Sequence, residues 1–85
     1  MKEFNYIVKD EVGLHARPAG ALVKFVTTLS SKVTLKKGEK AVDAKRLFGI
    51  MGLAVKCGDE LTFVVEGENA EADAAALESF CKESF

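Results

Sequence analysis

The sequence predicts an α+β fold: a four-stranded antiparallel sheet with three helices packed on one face, in the order β-α-β-β-α-β-α. Three observations predict it. Several stretches alternate apolar and polar residues with period 2. Others repeat apolar residues at helical spacing. The two kinds follow one another along all 85 residues with no linker and no internal repeat, so residues 1–85 read as a single domain.

The elements follow in chain order. In "EFNYIVK", Phe4, Tyr6 and Val8 alternate with Asn5 and Lys9, Ile7 being the exception, which is the pattern of a half-buried strand. After Gly13 the spacing of Ala16, Ala19, Leu22, Val23 and Val26 predicts a helix over about 16–28. Pro18 is tolerable there only in the first turn, where its missing N–H has no partner to lose. "KVTLKK" and "KAVDA" read as two short strands joined at Gly38. "RLFGIMGLAV" is too rich in Gly and Met for a strand and reads as a short helix, whereas "ELTFVVEG" alternates Leu61, Phe63 and Val65 against Thr62 and Glu66. Asn69 is expected to cap a last helix, "AEADAAALESFCKES", whose Ala74, Leu77, Phe80 and Cys81 make the apolar stripe.

Composition bounds the function. Hydrophobic residues make up 48% and charged residues 29%, with no apolar run long enough for a bilayer and no signal-peptide h-region, so the expectation is a cytoplasmic protein without direct membrane insertion. Cys57 and Cys81 lack CxxC spacing, which suggests neither a redox motif nor a metal site, and both are expected to be buried or half-buried free thiols. Residues 1–56 hold eleven Lys and Arg against five Asp and Glu, and residues 57–85 hold one against eight. A basic surface of this kind suits an acidic protein or a phosphorylated ligand. The pI of about 5.8 and the lack of interleaved aromatics argue against nucleic acid.

The chemistry concentrates at "GLHARPA", residues 13–19, which holds the only histidine and the only proline. A residue just before a helix meets unpaired backbone N–H groups and the positive end of the dipole, so the start at Ala16, Arg17 and Pro18 is a ready anion site. Arg17 adds a permanently charged donor fork for phosphate or carboxylate oxygens, and Gly13 permits the tight turn before it. His15 offers a neutral imidazole nitrogen as nucleophile. The plainer alternative is that His15 caps the helix and Arg17 is solvated. With no second histidine or serine nucleophile nearby, the site looks like the acceptor of a group and not its hydrolase, and no cofactor is indicated.

A second cluster supports docking. "LFGIMGLAV" is apolar almost all round, with Leu47, Ile50, Met51 and Ala54 on one side and Phe48 and Val55 on another, and so small a domain leaves one face exposed. The first helix carries Arg17, Gly20, Ala21, Lys24 and Thr27 on its outer side. With Lys45 and Arg46 these form a basic rim about an apolar centre, the make-up of a protein interface.

Together "GLHARPA", "KAVDAKRLFGIMGL" at 40–53 and "GDELTFVVEG" at 58–67 closely resemble HPr, the histidine-containing phosphocarrier family of the bacterial sugar phosphotransferase system, over essentially the whole chain. The resemblance implies an open-faced β-sandwich. It implies that His15 accepts a phosphoryl group on Nδ1 from phosphorylated enzyme I and passes it to a histidine of an enzyme IIA domain, with Arg17 stabilising the group in transfer. It also implies that Leu47, Phe48 and Met51 dock both partners beside the first helix. A monomer suffices for this. A regulator acting by partner binding, and a βαββαβ metabolite-binding module with Arg17 as anion receptor, are the alternatives.

Two positions depart from the family pattern. Most members carry serine where this chain has Arg46, and in many Gram-positive bacteria a kinase phosphorylates it. Arginine cannot take that phosphate, and its fixed positive charge opposes the charge of about −2 the switch creates. No serine or threonine lies between Thr34 and Thr62 to replace it. Val12 stands where many relatives have a short polar residue able to tie down the loop before the histidine.

Overall fold

The computed structural model describes residues 1–11, 13 and 16–85. Strand β1 (Lys2–Ile7), helix α1 (Ala16–Thr27), strands β2 (Lys32–Lys37) and β3 (Lys40–Asp43), helix α2 (Leu47–Gly52), strand β4 (Glu60–Glu66) and helix α3 (Ala70–Ser84) follow in the expected order. The strands form one antiparallel sheet in the order β1-β4-β2-β3, which leaves β1 and β3 as its edges.

The register explains which face is covered. Phe4 lies opposite Phe63, and Phe63 opposite Leu35, while Val65 lies opposite Val33. Because side chains alternate across the pleat, these residues point to one face together, toward Leu22, Val26, Ile50 and Leu77 of the helices. The other face carries Asn5 and Thr62, paired side by side, with the Thr62 hydroxyl donating to Asn5 Oδ1 at 2.8 Å. Ile7, the exception in the strand pattern, is on this open face and 53% exposed.

Stacked rings extend the core to its margin. Phe25 of α1 lies on Phe80 of α3 with centroids 4.5 Å apart, Phe80 meets Phe85 edge-on, and Phe85 meets Tyr6 of β1. Each such pair is worth about 0.5–1.5 kcal/mol beyond the area it buries. Burial holds the Tyr6 hydroxyl above its ordinary pKa, and it pushes the Cys81 thiol up to about 12, so Cys81 stays a protonated, inert core residue. Cys57, by contrast, is exposed, because it lies in the turn before β4 and not in a packed element.

Three further expectations are corrected. Asn69 occupies the position before α3 but makes no side-chain cap; its amide donates instead to the Ser30 hydroxyl, 3.2 Å away. Residues 46–55 are helical only over Leu47–Gly52, because Ala54 turns into the left-handed region at φ 52° and lifts Val55 out of any helix. Ala16, counted with the apolar stripe of α1, is exposed at its first position.

A buried polar knot ties the α1–β2 junction to α3. Ser31 is 1% exposed; its N–H and its hydroxyl both donate to Asp73 Oδ2, at 3.1 and 2.5 Å, and Ser30 reaches the same oxygen at 3.4 Å. Removing the acceptor strands two buried donors, a cost of about 1–3 kcal/mol. Asp73→Ala is therefore expected to lose that much stability in urea denaturation with an unchanged slope, and Asp73→Asn to lose less because its amide oxygen still accepts.

Candidate functional site

The site is built where two loops meet. Gly13 has φ 78° and its N–H donates to the Asp10 carbonyl at 3.0 Å, closing the turn that leads into α1. It is also pressed against the segment before β4: a Cβ at this position would stand 2.5 Å from the Val55 carbonyl oxygen and 2.8 Å from Lys56 Cα. Both the backbone angle and the close approach require glycine. The sequence reading assigned Gly13 the turn and missed the second partner, since nothing in periodicity places residue 55 beside residue 13.

That partner segment is itself clamped. Lys37, at the end of β2, donates from Nζ to the carbonyls of Leu53 and Ala54 at 3.1 and 2.9 Å and forms an ion pair with Asp59 Oδ2 at 3.0 Å. Asp59 Oδ2 also accepts the Lys56 N–H at 2.8 Å. The chain from Leu53 to Asp59 is thus held at both ends by one lysine and one carboxylate. The Lys56 N–H, and then Lys37, stabilise the charged carboxylate and lower the Asp59 pKa.

Helix α1 starts at Ala16, and Pro18 is its third residue, inside the first turn as the sequence requires. No acidic residue lies in that turn to neutralise it. Arg17 is exposed and, with Asp10, Pro18, Ala21 and Ser84, lines an open hollow of about 320 Å³ between α1 and the end of α3. The candidate acceptor His15 lies outside the described residues, as do Val12 and Leu14.

The second cluster lies on α2, which packs against α1 and against β3. Phe48 is 87% exposed and Met51 40%, whereas Ile50 is fully buried and Leu47 half-buried against the core. Helical spacing sets Met51 with Leu47 and Ile50, and Phe48 with Val55; the structure corrects this grouping, exposing Phe48 and Met51 together and burying Ile50 and Val55. Lys24, Lys45 and Arg46 are exposed, Gly20 is half-buried, and Thr27, though exposed, spends its hydroxyl on the Val23 carbonyl at 2.7 Å. Arg46 occupies the N-cap position of α2 in an extended conformation and makes no side-chain cap. Among the described residues the only ion pair is Lys37–Asp59, so Arg17, Lys24, Lys45 and Arg46 are exposed cations that make no direct ion pair there. Also among the described residues, no group of His, Cys, Asp and Glu is placed to hold a metal ion, and no helix is long and apolar enough to cross a membrane.

The family model for the HPr component of the phosphotransferase system, described as its phosphorylation site, matches residues 2–83. The chain belongs to the HPr family. The phosphocarrier protein HPr of Lysinibacillus sphaericus is 40% identical to it over 83 residues, covering 98% of this chain and 94% of that protein. An HPr crystal structure from Thermoanaerobacter tengcongensis superposes with a TM-score of 0.92 at 36% identity, covering 100% of this chain and 96% of the other. The HPr-like protein Crh of Bacillus subtilis is 37% identical over 76 residues, covering 89% of each chain. The HPr fold is therefore shown by both sequence and architecture, and with it a place among phosphotransferase-system phosphocarriers.

The clamp makes a pH prediction. A carboxylate whose pKa is lowered on folding contributes stability that is present above its unfolded value, about 3.9, and is lost as pH falls through the folded value. The Lys56 amide resonance is expected to titrate with a midpoint below about 3.9. In Lys37→Met that midpoint moves up toward the ordinary value, and in Asp59→Asn the titration disappears.

Proposed function

We propose that this chain is a phosphoryl carrier in which His15 accepts the group on Nδ1 from phosphorylated enzyme I and passes it to a histidine of an enzyme IIA domain, acting as a cytoplasmic monomer. The observation that carries the reading is the exposed Arg17 in a first turn of α1 that holds no acidic residue, beside an α2 that leaves Phe48 and Met51 uncovered. Group transfer between two proteins needs this combination. An apolar patch excludes water and brings the partner's reacting atom close. Fixed positive charge and helix N–H groups then stabilise the phosphoryl oxygens as charge shifts between the two nitrogens.

The chain does not turn over by itself. The imidazole nitrogen forms the N–P bond as the donor's bond to phosphorus breaks, and the reverse exchange delivers the same group onward, so the carrier returns unchanged. Arg17 acts on the group in transfer, Phe48, Met51 and Leu47 dock the partner, and Lys24, Lys45 and Arg46 attract its acidic rim. Gly20 and Thr27 belong to this surface as small spacers, Thr27 with its hydroxyl turned inward.

Arg46 removes the serine switch. An uncapped N-terminus on α2 with a cation at its cap position is a local electrostatic cost, and it is offset if the arginine serves the docking rim. A regulator that works by binding alone is the competing reading, favoured by the likeness to Crh. Arg17 weighs against it, because pure binding does not need a phosphoryl-stabilising group beside a histidine.

Incubation with phosphoenolpyruvate, magnesium and enzyme I is expected to add one acid-labile phosphate by intact mass, lost in His15→Ala and formed at least about tenfold more slowly in Arg17→Ala. A wild-type protein that takes no phosphate contradicts the carrier reading. A serine kinase with ATP is expected to leave the mass unchanged.

A further inference from the structure

The two edges of the sheet are unequal. β3 is four residues long, while β1 at the opposite edge runs six residues with neither proline nor bulge; α2 packs against β3 and α3 against β1. A long edge whose outward backbone groups are unpaired is a template for another strand.

The parity of β1 shows which groups are on offer. Val8, just past the strand, donates to Asp59 O at 3.0 Å and accepts from Gly58 N at 2.8 Å, so it bonds on the β4 side; Lys9 N bonds on the other side, to Phe85 O at 2.7 Å. Antiparallel pairing alternates strictly, so Lys2, Phe4 and Tyr6 bond to β4. The N–H and C=O groups of Glu3, Asn5 and Ile7 therefore point off the sheet.

Beside that edge runs α3, with Glu71, Ala74, Ala75 and Glu78 on one helical stripe. Two open hollows lie end to end between strand and helix, of about 300 and 320 Å³, and Glu78 lines both. The first is acidic, with Glu3, Glu71 and Glu78 against Lys2. The second is balanced, with Glu60 and Glu78 against Lys9 and Lys82, and it contains the exposed Ile7.

We propose that this groove is a second protein-binding site, distinct from the α1–α2 surface, which takes an extended segment of a partner as a fifth strand on β1. Main-chain bonds to Glu3, Asn5 and Ile7 supply affinity, and alternate side chains supply selection. A residue opposite Phe4 points to the helix side, over the two alanines and between Glu71 and Glu78, where it is basic. A residue opposite Ile7 lies on the open face, where it is apolar. The occupant thus alternates basic and apolar side chains. A second copy of this chain is disfavoured by the same geometry: two-fold pairing of β1 with itself brings the two mid-groove Glu78 carboxylates together. Because the groove and α2 lie at opposite edges of the sheet, occupation leaves the α1–α2 surface open.

The probe is an acetylated, amidated nonapeptide of alternating lysine and valine, titrated into isotope-labelled full-length protein at about 0.15 M salt. Saturable shifts and slowed hydrogen exchange are expected at the Glu3, Asn5 and Ile7 amides, with those of α1 and α2 unmoved. Glu71→Gln/Glu78→Gln is expected to weaken binding about tenfold while its own spectrum shows an intact sheet, and the glutamate–valine peptide is expected not to bind. The proposal is overturned by absence of shifts, by shifts confined to α1 and α2, by equal affinity of the double variant, or by β1 shifts that grow with protein concentration alone.

Discussion

The close approach of Gly13 to the Val55 carbonyl and Lys56 is the contact on which the candidate site depends. It joins the turn before α1 to the segment before β4, two stretches 42 residues apart that share no element. One side is set by a left-handed backbone angle and the Asp10 carbonyl. The other is set by Lys37 and Asp59, whose bonds leave Leu53–Asp59 little freedom. Because α2 ends in that same segment, the start of α1 and the exposed face of α2 are referred to one platform. A phosphoryl acceptor that works by docking needs this, since small displacements between acceptor and docking patch are expensive in rate.

Charge is sorted over the same frame. Arg17 and Lys24 are exposed on α1 and Lys45 and Arg46 at the start of α2, the helix that exposes Phe48 and Met51, whereas α3 carries acids in its first turn and along the groove beside β1. The net charge of −1 conceals a chain that is basic over residues 1–56 and acidic over residues 57–85. Under the proposed function, the exposed cations of α1 and α2 steer an acidic partner toward Phe48 and Met51.

Most of the architecture was legible because each element is periodic and none conflicts with its neighbours: Tyr6, Leu61, Phe63 and, in α1, Ala19, Leu22 and Val26 are buried as the spacing assigns, with Phe4 and Val23 half-buried against them. Arg17 and Pro18 were legible as a motif at a helix start. What escaped is non-local or depends on a single backbone angle. Lys37 to Leu53 and Asp59, Ser31 to Asp73, and Gly13 to Val55 join distant residues that no period connects. Asn69 looks like a cap by type, yet its amide finds Ser30. The left-handed Ala54 cuts α2 short, although alanine is a good helix former. Only the fold decides which face of so uniformly apolar a segment is outside, and it exposes Phe48 and Met51 while burying Ile50.

Under the proposed function, transfer depends on the Gly13 contact, which holds the turn before α1 against the segment that follows α2. This dependence is tested most directly by single-turnover phosphoryl transfer from phosphorylated enzyme I to Gly13→Ala, with folding of the variant checked by its amide spectrum. The added methyl must displace the Val55–Lys56 backbone, so the account predicts a folded protein with altered Val55 and Lys56 resonances and a transfer rate lowered by about tenfold or more. A folded Gly13→Ala protein that transfers at the wild-type rate would contradict it.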